Sequence, residues 1–201
     1  MINELKKYLR HPFAFHPKHS ALLVIDMQRF FIDKSSHAYL PLAKPIVPRI
    51  RKLINFYRRH KLPVIFTKHA VKKGEPVGIM GRWWRDTIHD GTLSARLHPQ
   101  MRPLSGELVI RKTRYNAFYG TGLDSALKKL GVRKVVITGV ATHLCCETTA
   151  RDAFVRDYEV FFVADATASS DKTLHLSSLK TLANGFAVIL ETRDILCANN
   201  Q

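Results

Sequence analysis

Six short runs of apolar, largely β-branched residues, spaced by segments of helix length, constrain this chain more than any other feature. They are ALLVID (21–26), VIFT (64–67), LVIR (108–111), KVVITG (134–139), EVFFVAD (159–165) and AVILE (187–191). Near-continuous hydrophobicity of this kind belongs to strands covered on both faces, as in a parallel sheet. Helix-length stretches occupy 46–60, 123–131, 146–157 and 172–185, and Gly131 and Gly185 stand where helix ends call for a left-handed residue. The alternation predicts βαβ units and a doubly wound α/β sheet with helices on both faces. At 201 residues the chain has room for one sizeable core but not for two ordinary ones, so it is read as a single domain, 1–201.

The stretch at 68–107 is longer and less regular, rich in glycine and proline, and its GRWWRDTI segment holds both tryptophans of the chain. A long loop inside a compact domain is usually functional or mobile. No apolar run approaches the roughly 18 residues of a membrane span. The N-terminal MINELKKYLRHPFAF lacks the apolar core and small-residue cleavage site of a secretory signal. A cytoplasmic location without membrane association is therefore expected. Three cysteines, Cys145, Cys146 and Cys197, form neither an even disulfide set nor a C-x-x-C metal spacing, and free thiols are expected. The formal charge of +16, from 32 basic against 16 acidic residues, is scattered along the chain. That pattern describes a solvated basic surface that can steer anions. No zinc-finger spacing, RNP-type strand or basic heptad region accompanies it, so a nucleic-acid partner is not expected.

Ligands of open parallel sheets bind beyond the carboxyl ends of the strands, where the strand order reverses. The first run ends in Asp26, the second in Thr67, Lys68 and His69, the third in Arg111 and Lys112, and the fourth leads through Gly139 to Cys145. An acid, a lysine and a cysteine thus fall at one end of the sheet. Asp26 closes an apolar run, where an unpaired carboxylate costs several kcal/mol; a structural turn cap or lysine pair would serve it as well as chemistry. Cys145 falls in the first turn of a helix, where the dipole and free N–H groups favour a thiolate, so ionisation below the roughly 8.5 of a free thiol is expected. Cys146 points about 100° away, on the apolar stripe with Thr149, Ala150, Ala153 and Phe154. Periodicity favours Cys145 as facing the site and Cys146 as core, although either could be a small buried apolar residue.

With these residues in place, the sequence resembles the isochorismatase-like cysteine hydrolases. The resemblance is carried in order by LLVIDMQRFF (22–31), VIFTKHA (64–70), IRKTRYNAFYGTGLDSAL (110–127), GVATHLCCETTARDAF (139–154) and VFFVADATAS (160–169). It implies a six-stranded parallel sheet in one domain and a catalytic Asp26–Lys112–Cys145 constellation. It also implies a non-proline cis peptide at Val140–Ala141 and an oxyanion hole from the N–H groups of Ala141 and Cys145. Amidases of this family place the nucleophile at the position of Cys145, whereas true isochorismatases have glycine there and cysteine at the position of Cys146. THLCC satisfies both patterns, and the presence of Cys145 favours the thiol hydrolase of a small amide or carbamoyl C–N bond. The alternatives are vinyl ether hydrolysis and a non-catalytic binding module.

The resemblance further implies aromatic pocket walls, for which Phe31, Trp83, Trp84, Phe118 and Tyr119 are candidates, with His143 and His69 as possible substrate contacts. Nicotinamidases of the family carry a metal-binding Asp-x-His and a further histidine between the first two strands. Here that interval holds only His37 and His60, so no metal or other cofactor is expected and nicotinamide is disfavoured. A small-molecule substrate and a homodimer or homotetramer are expected.

Overall fold

A computed structural model of the chain describes residues 2–10 and 12–198; residues 1, 11 and 199–201 of the expected domain lie outside the described residues. In chain order the elements are α1 (Ile2–Leu5), β1 (Ser20–Ile25), α2 (Arg29–Ile32), α3 (Val47–Arg59), β2 (Val64–His69), α4 (Gly78–Trp84), β3 (Leu108–Lys112) and α5 (Leu123–Lys129). They continue with β4 (Lys134–Val140), a π turn (Thr142–Cys146), α6 (Glu147–Val155), β5 (Glu159–Ala168), α7 (Lys172–Gly185), β6 (Val188–Leu190) and α8 (Thr192–Leu196). The six strands form one sheet in the order β3-β2-β1-β4-β5-β6, and every neighbouring pair is parallel. The order reverses between β1 and β4, which is where such sheets bind ligands.

Strand residues alternate between two cores, as the two-residue period of a strand requires. Leu23, Ile25, Ile137 and Phe162 pack with Leu127 of α5, Ala150 and Ala153 of α6, and Leu179 and Leu182 of α7. Leu22, Val24, Val136 and Phe161 face the other way, against Ile50, Leu53 and Tyr57 of α3 and Ile195 of α8. The doubly wound architecture read from the sequence is therefore the one observed. Burial of a single large apolar side chain in such a core stabilises by roughly 1.5–3 kcal/mol.

Several local expectations are corrected. β3 is an edge strand with Leu108 and Val109 partly in solvent, so its apolar run is not covered on both faces. β5 continues three residues past its predicted end, to Ala168. Gly131 is left-handed at φ 65°, but Gly185 is not among the residues of positive φ. α7 instead closes through Phe186 at φ −138°, with the N–H groups of Phe186 and Ala187 both donating to the Leu182 carbonyl. Phe154 leaves the apolar stripe of α6 and stacks edge-on against Phe186 near the surface. The 68–107 stretch is tied down rather than loose. Arg58 grips Glu107, Lys68 pairs with Asp90 at 2.7 Å, and Arg111 holds Glu75 with a two-pronged bond. No described helix is long and apolar enough to cross a membrane.

Candidate active site

The carboxyl ends of β1, β2, β3 and β4 bring the candidate residues together. Asp26 directly follows β1 with φ at 48°, a left-handed conformation that non-glycine residues adopt at a cost and that clusters at functional sites. Thr67, in β2, holds it from both sides: its hydroxyl donates to Asp26 Oδ1 at 2.6 Å and accepts from the Asp26 N–H at 3.1 Å. Gln28 ties the same turn to β2, accepting from the His69 N–H at 2.7 Å and donating to the carbonyls of His69 and Ala95 at 3.0 Å. The position and aim of Asp26 are thus set by neighbours that the apolar pattern does not reveal.

Lys112, the last residue of β3, reaches across the ends of β2 and β1 with its ammonium fully buried. Its Nζ lies 2.6 Å from Asp26 Oδ2, 3.3 Å from Cys145 Sγ and 3.0 Å from the Arg114 carbonyl. Asp26 Oδ2 makes no aligned hydrogen bond among the described residues beyond this ion-pair contact. Two charges this deep are tolerated only when paired. Burial by itself would lower the Lys112 pKa, but the Asp26 carboxylate and the Cys145 sulfur outweigh it and hold the ammonium above its usual value. The lysine is a permanent cation.

Cys145 sits in the π turn that joins β4 to α6, after the cis Val140–Ala141 peptide. Single π turns are frequent at functional sites. Here the wide turn places the thiol beside Lys112 and within hydrogen-bonding reach of Asp26, and it leaves Cys146 fully buried in the core beneath. One expectation changes. Cys145 faces Lys112 from a buried position, at 7% accessibility. Its pKa is pushed up to about 12, by burial first; the Lys112 cation pulls it down, and the Asp26 anion pushes it up again. The helix-terminus effect does not prevail, and the resting group is a neutral thiol beside an ion pair. Burial likewise raises Cys146 well above its ordinary value.

Gly139 makes this approach of β1 and β4 possible. It pairs with Ile25 at φ 113°, and a Cβ there would run into the Ile25 carbonyl oxygen.

The remaining candidates scatter. His143 is half-buried, its Nδ1 2.6 Å from Ser169 Oγ, and burial lowers its pKa. His69 is 8% exposed, its Nδ1 has no partner among the described residues, and burial followed by the Lys112 charge lowers its pKa to about 4. Phe118 belongs to the core and stacks on Tyr158, and Phe31 packs edge-on against Phe30. Trp84 donates from Nε1 to the Tyr115 hydroxyl at 2.7 Å, whereas Trp83 and Tyr119 project into solvent at 74% and 62% exposure. Tyr115 lies close enough to feel the charges of Cys145 and Lys112. Sequence reasoning placed Thr67 at the strand ends without a role and gave none to Gln28, Arg114 or Tyr115; their only signal was that all four lie in the motifs that carry the family resemblance. Among the described residues no three His, Cys, Asp or Glu side chains are grouped to hold a metal ion.

A parallel sheet whose switch point gathers an acid, an ammonium and a thiol defines an α/β enzyme of the hydrolase class. The isochorismatase domain profile matches residues 20–194, and the chain belongs to that family of hydrolases. It is 39% identical to nicotinamidase 3 of Arabidopsis thaliana over 180 residues, covering 87% of this chain and 85% of that protein. It is 32% identical to enterobactin synthase component B of Escherichia coli over 186 residues, 92% of this chain but only 65% of that longer protein. Among solved structures, a cysteine hydrolase from Pseudomonas syringae pv. phaseolicola superposes with a TM-score of 0.88 at 26% identity, covering 96% of this chain and 98% of the other.

Proposed function

We propose that the protein hydrolyses a small amide, carbamoyl or related C–N bond through a thioester on Cys145. The observation that carries this reading is the buried contact of Lys112 Nζ with both Asp26 Oδ2 at 2.6 Å and Cys145 Sγ at 3.3 Å. The likeness to a nicotinamidase and to a cysteine hydrolase supports it.

Asp26 takes the thiol proton as sulfur attacks the carbonyl carbon, and Lys112 remains between the two to balance charge. The carbonyl oxygen gathers negative charge against the N–H groups of Ala141 and Cys145. As the C–N bond breaks, protonated Asp26 returns its proton to the departing ammonia or amine, leaving the thioester. Water enters, Asp26 removes one proton, hydroxide adds to the thioester, and the acid leaves with the proton restored to sulfur. No step calls for a metal, and among the described residues no three His, Cys, Asp or Glu side chains are grouped to hold one. Assembly as a homodimer or homotetramer is part of the same proposal; the solvent exposure of two large aromatic side chains, Trp83 and Tyr119, supports it.

The test is a panel of small amides and ureido acids, nicotinamide included, assayed for ammonia release. Cys145→Ala is expected to lose at least about 10³-fold in kcat with an unchanged melting temperature. Retained ammonia release in Cys145→Ala sinks the covalent route. Vinyl ether hydrolysis, in which Asp26 would act as the proton donor, is distinguished by pyruvate release from isochorismate that survives that substitution.

A further inference from the structure

The basic residues around the carboxyl edge of the sheet are matched almost one for one. Lys68 has Asp90, Arg111 has Glu75 and Lys112 has Asp26. Arg114 has no such partner. It is half-buried, yet no carboxylate partners it among the described residues. Its guanidinium is nevertheless placed rather than free: Nη1 donates to the Thr113 carbonyl at 2.7 Å, and Nη2 rests where a side chain at Gly78 would stand. Gly78 has φ 60°, a conformation suited to glycine, and that absence of a Cβ leaves the guanidinium its space.

The position of this unmatched cation is informative. The Arg114 carbonyl accepts from Lys112 Nζ at 3.0 Å, so its backbone adjoins the Asp26–Lys112–Cys145 cluster. Its charge also reaches His69, a buried side chain that hydrogen-bonds the Arg114 backbone while its Nδ1 has no partner among the described residues. Buried polar nitrogens and half-buried guanidinium groups are normally satisfied within the protein. A buried His69 Nδ1 without a partner among the described residues and a nearby guanidinium without a carboxylate together mark where a ligand supplies the missing groups. A guanidinium binds a planar carboxylate with two parallel bonds, and a neutral imidazole nitrogen adds one bond to the same or an adjoining group.

We infer that Arg114 is the specificity-determining residue of this enzyme and that it binds a carboxylate carried by the substrate, so that the substrate class is anionic amides or ureido acids rather than neutral amides. The inference deepens the C–N hydrolase reading and rests on it. The net charge of +16 draws such anions toward the protein in general, whereas Arg114 is a cation held in place next to the cluster by its own backbone contact with Lys112.

Two measurements separate this inference from the reading beneath it. The first compares kcat/KM for succinamate with that for neutral butyramide in the native protein, Arg114→Met, Arg114→Lys and the distant surface control Arg59→Met. The native protein prefers succinamate. Arg114→Met loses that preference by roughly tenfold to a hundredfold through KM, Arg114→Lys retains part of it, and Arg59→Met leaves it unchanged. The second measurement needs no turnover. Cys145 is alkylated with iodoacetate and with iodoacetamide, a carboxylate and carboxamide pair; in each case sulfur bonds to the methylene carbon, iodide departs and the thiol proton goes to solvent. The ratio of the two rates falls by roughly tenfold in Arg114→Met and not in Arg59→Met. Equal ratios in native protein and Arg114→Met, in either measurement, overturn the inference while leaving C–N hydrolysis standing. If neither amide is hydrolysed, the C–N reading fails, and the alkylation ratio alone decides whether Arg114 recognises a carboxylate.

Discussion

At the scale of single residues, the division of labour in the site follows from how many bonds Lys112 can make. An ammonium has three donors, and they meet Asp26, Cys145 and the Arg114 carbonyl. The cation is saturated, so its effect on chemistry is electrostatic. It lowers the Cys145 pKa while Asp26 raises it, and burial outweighs both. A thiol held up to about 12 is almost wholly protonated at neutral pH, and reactivity waits for a substrate that lets the proton pass to Asp26. This gives a prediction with opposite signs in two readouts. Asp26→Asn removes the anion that opposes the thiolate but keeps Lys112, so alkylation of Cys145 at pH 8 is expected to accelerate. Each unit of fall in the pKa raises the thiolate fraction about tenfold, and the lower basicity of sulfur takes back about half of that on a logarithmic scale, leaving roughly threefold per unit. Turnover in the same variant is lost, because no base remains. Mass spectrometry resolving Cys145 from Cys146 reads the first effect. Slower labelling of Cys145 in Asp26→Asn would show that the carboxylate promotes the resting thiolate, contrary to this account.

At the scale of elements, the site depends on how closely two parallel strands approach before they diverge. Gly139 lies beside Ile25 at φ 113°, and a Cβ meets the Ile25 carbonyl oxygen, a backbone atom that cannot swing aside. Gly139→Ala is expected to destabilise by on the order of 3 kcal/mol. That lowers the melting temperature by about 6–12 °C for a chain of this size. A shift within about 1 °C would mean that β1 and β4 separate freely, and then the distance from Asp26 to Cys145 is not set by the sheet. The same elements show what was legible in the sequence. The strands were, because a sheet covered on both faces requires uninterrupted apolar runs, and their last residues led to Asp26, Lys112 and Cys145. The π turn was not. It has a geometry that a 3.6-residue period cannot register; the period still gave Cys145 the side facing Lys112 and Cys146 the core, but the low pKa expected of a helix terminus is denied by burial. Arg114 and Tyr115 were equally hidden, since they lie in irregular chain after β3, where no period operates. Gly185 misled for a related reason: the bonds from Phe186 and Ala187 to Leu182 end α7 without a left-handed residue.

At the scale of the whole molecule, the pH dependence of stability follows from histidines kept neutral by the fold. Burial, and then the Lys112 charge, lower the His69 pKa from 6.5 to about 4. Burial also lowers His98, His143 and His175. In the unfolded chain an imidazole takes its proton near pH 6.5, so between about 6.5 and 4 the unfolded state binds protons that the folded state refuses. Stability therefore rises with pH across that window and is lost as pH falls through it. His69 alone contributes up to about 3 kcal/mol of this loss, at 1.36 kcal/mol per unit, and the other three add in the same direction. The excess of basic residues offers a competing cause, because carboxylates neutralised by acid leave a chain of +16 still more strongly self-repelling. Salt separates the two. Near 1 M the Debye length is about 3 Å, which suppresses repulsion between exposed charges but does not reach a buried imidazole. Urea midpoints measured from pH 7.5 to 4.5 in about 1 M salt are expected to keep a steep acid limb in the native protein and a shallower one in His69→Gln. Equal slopes in the two proteins would remove His69 from the account, and a limb that vanishes with salt would assign acid lability to the surface charge.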